Sequence, residues 1–194
     1  YLRYYINLPV LYLCTFCLLM NYLSHTFGVE KESTVTNFLI LNYLIAMSKN
    51  IIVIGSCNTD MVIKADRLPV PGETVMGGSF MMNPGGKGAN QAVAAARLKG
   101  NVYFIAKTGN DLFGKRSIEQ YEDEGIHVEN IYSDPTLPSG VALIMVDVNG
   151  ENSIAVASGA NGSLSPEDIR KAQPVIEKGD ILLMQLEIPR ETVE

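Results

Sequence analysis

The 194-residue sequence contains no concentration of lysine and arginine, and its 15 basic residues are outnumbered by 21 acidic ones. A nucleic-acid surface needs a basic face to neutralise phosphates, so that class is set aside. Cysteine is scarce: Cys14, Cys17 and Cys57 only. An odd set without regular spacing builds no disulfide framework and fits a reducing, cytoplasmic setting. Cys14 and Cys17 are spaced C-x-x-C, but no second pair and no histidine cluster joins them, so the spacing reads as chance in an apolar run. A clean stretch of ~20 apolar residues, the length a bilayer requires, is also missing. Leu8 to Leu23 comes nearest and is interrupted by Pro9, Thr15 and Asn21. Arg3 alone stands where a signal peptide would carry its basic region, and no small-x-small cleavage site follows. A membrane anchor in residues 1–46 is the lesser reading. Their Leu, Tyr, Asn, Ile and Phe are largely residues of AT-rich codons. The expectation is that 1–46 is an extraneous apolar extension and that Met47 is the true start.

From Met47 onward strands and helices alternate, the signature of an α/β fold with a mostly parallel sheet. Ile51-Ile52-Val53-Ile54 and Ile181-Leu182-Leu183-Met184 are short continuous apolar runs, read as strands buried on both faces. Val102–Ala106 is a third. Helices are expected from Lys87 or Gly88 to Leu98 with Gly100 as the stop, from Phe113 to Glu124 ending at Gly125, and from Ser165 to Lys178. In the last, Ser165 is the N-cap and Pro166 the first helical residue. Pro174 should kink or shorten it.

Two segments depart from the alternation. Met61–Asp66 and Thr74–Phe80 read as strands joined by a Pro-Gly turn with no helix between them. Val141–Asp147 and Ser153–Ala157 flank Asn149-Gly150, a hairpin signal. These pairs, about 60–80 and 141–157, are expected to form a small second sheet.

The chemistry gathers around Asn83-Pro84-Gly85-Gly86-Lys87-Gly88-Ala89-Asn90-Gln91, a glycine-rich turn leading into an alanine-rich helix. The turn satisfies neither common phosphate motif. Gly88 follows Lys87 where a Walker A loop needs Ser or Thr, and Gln91 stands where the dinucleotide fingerprint needs its third glycine. What remains is a donor-rich turn. Asn58, Asp60 and Glu187 fall at C-terminal ends of strands, where ligands of open α/β sheets collect. Carboxylates, amides and an ammonium in one crevice suit a polyhydroxyl ligand. Taken singly, Asn58 and Asp60 could form an Asx turn, and Lys87 and Glu187 could be solvated surface charges.

Gly55-Ser56-Cys57-Asn58-Thr59-Asp60, Pro71-Gly72-Glu73-Thr74, Gly85–Ala92, Thr108-Gly109-Asn110-Asp111 and Leu183-Met184-Gln185-Leu186-Glu187 together resemble the N-terminal half of the ribokinase-type PfkB carbohydrate kinases. The resemblance covers Ser48 to Glu194. It implies a Rossmann-type sandwich with a β lid, C-terminally truncated here, with an incomplete kinase domain over 47–194. It implies ATP-dependent phosphorylation of ribose, with Mg²⁺, and K⁺ as activator. Asn58, Asp60, Gly86, Lys87, Gly88 and Asn90, with Glu187, would hold the sugar, and the lid would serve a homodimer. The Gly-Ala-Gly-Asp string that carries the family's catalytic Asp does not occur, so no catalytic residue is named within the chain. The catalytic Asp is expected beyond Glu194, and the chain by itself is expected to be inactive. Another PfkB-type sugar or nucleoside kinase, or a non-catalytic sugar-binding or dimerising fragment, is the alternative.

Overall fold

A computed structural model describes residues 49–194; the expectations for residues 1–46 and for the start at Met47 lie outside them. Strand β1 (Asn50–Ile54) sits between β4 (Asn101–Gly109) and β8 (Ile181–Met184). With β5 (Ile131–Asp134) they form a four-stranded sheet, sheet 1, in the order β5-β4-β1-β8, parallel throughout. Its central strands are continuous apolar runs because both faces are covered. On one face Val53, Phe104 and Ala106 pack with α1 (Lys87–Arg97) and α2 (Leu112–Asp123) through Ala89, Ala92 and Tyr121. On the other, Ile52, Ile54 and Ile105 meet Leu164, α3 (Pro166–Ile176) and Ile188, just ahead of α4 (Arg190–Val193). This is an α/β sandwich.

Sheet 2 has the order β3-β2-β6-β7, from β2 (Asn58–Lys64), β3 (Ser79–Gly85), β6 (Gly140–Val146) and β7 (Asn152–Ala157). The two antiparallel pairs are joined by a parallel β2–β6 pairing. Residues directly paired across strands share a face. One face therefore carries Asn58, Asp60, Val62, Ile144 and Ile154. The other carries Ile63, Phe80, Met61 and Leu143.

Several local expectations are corrected. The strand placed at Thr74–Phe80 lies at Ser79–Gly85 instead. Gly77 and Gly78 adopt φ of 99° and 97°, which interrupts an extended ladder there, so pairing begins at Ser79 opposite Lys64. Asn83, Pro84 and Gly85 are thus strand residues, and Pro84 is tolerated because β3 is an edge strand. The stop of α1 is Lys99, with φ 70°, rather than Gly100. Gly100 instead packs against Ile51: a Cβ there would lie 2.7 Å from Ile51 Cδ1, the movable end of that side chain. β8 was expected to be buried on both faces. It is half exposed, with Leu182 at 46 %, as an edge strand of sheet 1 among the described residues. Helix α3 ends at Ile176, two residues early, with Pro174 in its last turn. The β6–β7 loop is not a two-residue Asn-Gly turn. Asp147 C=O accepts from Gly150 N–H, its N–H donates to Glu151 C=O, and only Gly150 of the pair has positive φ. That is a type I turn followed by a left-handed glycine.

Candidate functional site

The connection Gly55–Cys57 leaves the C-terminal end of β1 and enters β2 without a helix, passing beneath the first turn of α1. Two glycines set the spacing. A Cβ on Gly88 would lie 2.6 Å from Gly55 C, so helix and connection touch backbone to backbone. Gly86 has φ 92°, the left-handed region open to glycine, and a Cβ there would lie 2.9 Å from Asn58 N and Ser56 O. Ala89 N–H donates to Ser56 C=O at 2.9 Å and fixes the helix on the connection.

Glu187 reaches this helix start from just beyond β8. Its carboxylate accepts from Ser56 Oγ at 2.8 Å, from Lys87 N–H at 3.3 Å and from Lys87 Nζ. Burial opposes its ionisation, but the bonds from Lys87 and Ser56 prevail and hold the carboxyl below its ordinary range. A carboxylate already occupying the positive end of α1 leaves it a poor phosphate cradle. Asp60, half-buried on β2, behaves oppositely: burial first, and then the negative charge of Glu187, raise its pKa. Its carboxylate lies against Gly85, where a Cβ would be 2.0 Å from Oδ2. Among the described residues no donor is bonded to it.

Asn58, Asp60, Gly86, Lys87 and Glu187 are thus brought close together, with Asn58 and Asp60 at the start of β2 rather than at the C-terminal end of a strand as expected. Gly88 is buried in the helix–connection contact, a packing position. Asn90 is exposed, one turn along α1, and lines a groove of about 720 Å³ with Asn83, Val93, Arg97, Tyr121 and Glu124.

Three residues passed over in the sequence belong here. Ser56, 1 % exposed, anchors Glu187. Gln185 accepts from Glu187 N–H while its Nε2 is buried with no partner among the described residues. Asn161, 2 % exposed, grips the connection: Oδ1 accepts from Cys57 N–H at 2.8 Å, and Nδ2 donates to Cys57 C=O and to Asn58 Oδ1 at 3.0 and 2.8 Å. Asn161 sits in a short 3-10 turn, Gly159–Ser163, and nothing local in the sequence announces what it grips.

Asp111, noted in the Thr108–Asp111 motif, is structural. It caps α2 through Gly114 N–H and accepts from Ser139 N–H and Oγ at 2.8 and 2.7 Å, placing the start of β6. Among the described residues no three His, Cys, Asp or Glu side chains stand together as a metal site. No described helix is long and apolar enough to cross a membrane.

The family model for pfkB family carbohydrate kinases matches residues 48–194. The chain is 44 % identical over 146 residues to a ribokinase of Bacillus subtilis, covering 75 % of this chain and 50 % of that protein. It is 42 % identical over 144 residues to a deoxyribokinase of Salmonella typhi, covering 74 % and 47 %. The structure of an Arabidopsis thaliana ribokinase complexed with ribose and ATP superposes with a TM-score of 0.62 at 35 % identity, covering 74 % and 47 %. The chain spans about half the length of the curated relatives it matches.

Proposed function

The chain belongs to the pfkB family of carbohydrate kinases, and from that premise we propose that it supplies the sugar-holding side of a ribokinase, phosphorylating D-ribose to ribose 5-phosphate with ATP. The observation that carries this is the start of α1, where Lys87 is tied to Glu187 and the Glu187 charge is felt at Asp60, two residues from Asn58 on β2. The Lys87 ammonium has three donors and spends one on Glu187. Its remaining N–H groups donate to sugar hydroxyl oxygens, while Asp60 accepts hydroxyl protons. The ring is held and oriented by this donor–acceptor set. Gly86 leaves room for it close to the backbone, and Asn90 is assigned to the rim.

ATP supplies the phosphoryl group, Mg²⁺ its charge neutralisation, and K⁺ activation. Among the described residues no acidic cluster makes a metal site, and no step is assigned here through these groups. We assign the catalytic Asp and the nucleotide site to residues beyond Glu194, residues 47–194 to the kinase domain, and sheet 2 to a lid over the sugar. Ile63, Phe80 and Leu143, on the face of that sheet opposite Asn58 and Asp60, are 42–63 % exposed, a pattern that suits a homodimer formed through the lid. Phe80→Glu with Leu143→Glu should then halve the particle mass in light scattering. An unchanged mass would remove the lid from the interface. A cytoplasmic location accords with the reduced Cys57.

The deoxyribokinase likeness favours a second reading, 2-deoxyribose as acceptor. Phosphorylation rates of the intact protein with ATP over D-ribose, 2-deoxy-D-ribose, D-fructose and a nucleoside decide between them. The highest kcat/KM is expected for D-ribose, and a preference for any other sugar overturns the assignment. Sugar binding by calorimetry without nucleotide binding would favour a non-catalytic sugar-binding module.

A further inference from the structure

Asn58 can face a ligand with either end of its amide, and the two ends demand opposite partners. Its neighbour Asn161 has no such freedom. Asn161 Oδ1 accepts from a backbone N–H, Cys57, and its Nδ2 faces three oxygens: Cys57 C=O, Ser158 C=O at 3.0 Å and Asn58 Oδ1. Turning the Asn161 amide over would set N–H against N–H and oxygen against oxygen, so its orientation is fixed by four contacts at once. The turn that carries it is itself anchored. Ala160 N–H donates to Pro138 C=O at 2.8 Å, Ser163 Oγ donates to Asp134 at 2.7 Å, and Lys107 Nζ donates to Ser163 C=O at 3.1 Å. Gly140, paired with Asn58 across β2 and β6, keeps the passage open. A Cβ there would lie 2.2 Å from both Asn58 Oδ1 and Asn161 Nδ2.

We propose that Asn161 is a positioning residue that orients the Asn58 amide, turning Oδ1 inward and committing both Nδ2 hydrogens to the ligand. This rests on the reading of the crevice as a sugar site and deepens it. Asn58 and Asp60 lie two residues apart on one face of β2, so they present a pure donor beside a pure acceptor. The site thereby selects a polyol whose one hydroxyl accepts from Asn58 while another donates to Asp60. Asn161 itself does not touch the sugar.

A double-mutant cycle with D-ribose as probe, read by calorimetry on the intact protein, tests this. Asn161→Asp keeps the acceptor for Cys57 N–H but turns an oxygen toward Asn58 Oδ1, favouring the flipped amide. Gly140→Ala wedges between the same two atoms. Asn58→Ala should weaken D-ribose binding about tenfold, the scale of one lost ligand hydrogen bond. Each of the other two changes should weaken it about tenfold in the native background and less than about twofold in the Asn58→Ala background. Equal losses in both backgrounds would overturn the positioning role and leave the sugar site standing. Unchanged binding in Asn58→Ala would overturn the sugar site and this assignment with it. In the unmutated protein, ¹⁵N resonances of the Asn58 side-chain amide should shift when D-ribose is added. Signals that stay put under saturating sugar would also overturn the proposal, whether or not the variants fold.

Discussion

The two sheets are built from the same kinds of residue and finished differently. In sheet 1, Ile52, Val53, Val102, Phe104 and Ile105 have no exposed surface, and helices close both faces. In sheet 2, β7 has no buried residue, and burial fades along β2 from Asn58 and Thr59 outward to Ile63 and Lys64. Sheet 2 is therefore fastened at one end, at the row Gly85–Asn58–Gly140, and free at the other. That fastened row is where the candidate site stands. The proposed binding groups sit where the well-packed unit lends rigidity, and the other end of sheet 2 is left uncovered among the described residues.

The contrast breaks most easily on stability. Phe104→Ala should cost about 3–5 kcal/mol in urea unfolding, since it opens a cavity in a sealed core. Phe80→Ala on sheet 2 should stay within about 0.5 kcal/mol in dilute protein. Comparable losses at the two positions would mean that sheet 2 is covered after all. A smaller effect separates binding from folding at the junction. Glu187→Gln should weaken D-ribose binding about 10- to 100-fold in calorimetry, because it removes a charge from the Lys87 contact, while the unfolding midpoint moves little. A large fall in midpoint with intact affinity would make the pair a structural strut. The gentlest test is pH. Asp60 has a raised pKa, so on acidification it takes up its proton above the ordinary 3.8, and the folded state welcomes that proton. Glu187 has a lowered pKa. Its contribution to stability is present above its ordinary 4.5 and is lost only as pH falls through the lower folded value. D-ribose affinity should therefore decline on acidification before the fold does. Affinity and unfolding midpoint declining together would contradict the separate roles.

The parallel core was legible because β1 and β4 are apolar runs of the type that sheets buried on both faces require, and Ser165-Pro166 marked α3 as surely as its capping box with Asp168 does in three dimensions. The second sheet was legible from a missing helix after β1. Its first hairpin was misplaced because Gly77-Gly78 looked like strand interior, and only the backbone dihedrals show that they end it. Asn58, Asp60, Lys87 and Glu187 could be grouped because each has a polar head at a strand or helix end. Asn161 could not, since its partners are backbone atoms of Cys57 far away in the chain, and no spacing rule connects them. Burial of β8 was misjudged because an apolar run records what a strand is suited to, not how many neighbours it has.

The pairing of β1 with β8 ties the two ends of the described residues together. β1 is the first described strand to be synthesised, and its two neighbours in the sheet are β4 and β8. Ile51 to Ile54 lie in register with Ile181 to Met184, far along the sequence. A strand that closes the ladder from so far along the sequence carries a large loop-closure cost and makes folding slow. On the ribosome, β1 can dock on β4 and α1 early, but its other flank stays open until β8 emerges. During that interval Glu187 is also absent, so Lys87 is without its partner. The Lys87–Glu187 pair and the β1–β8 ladder form in the same late event, and a nascent chain halted before Ile181 would leave that flank of β1 open.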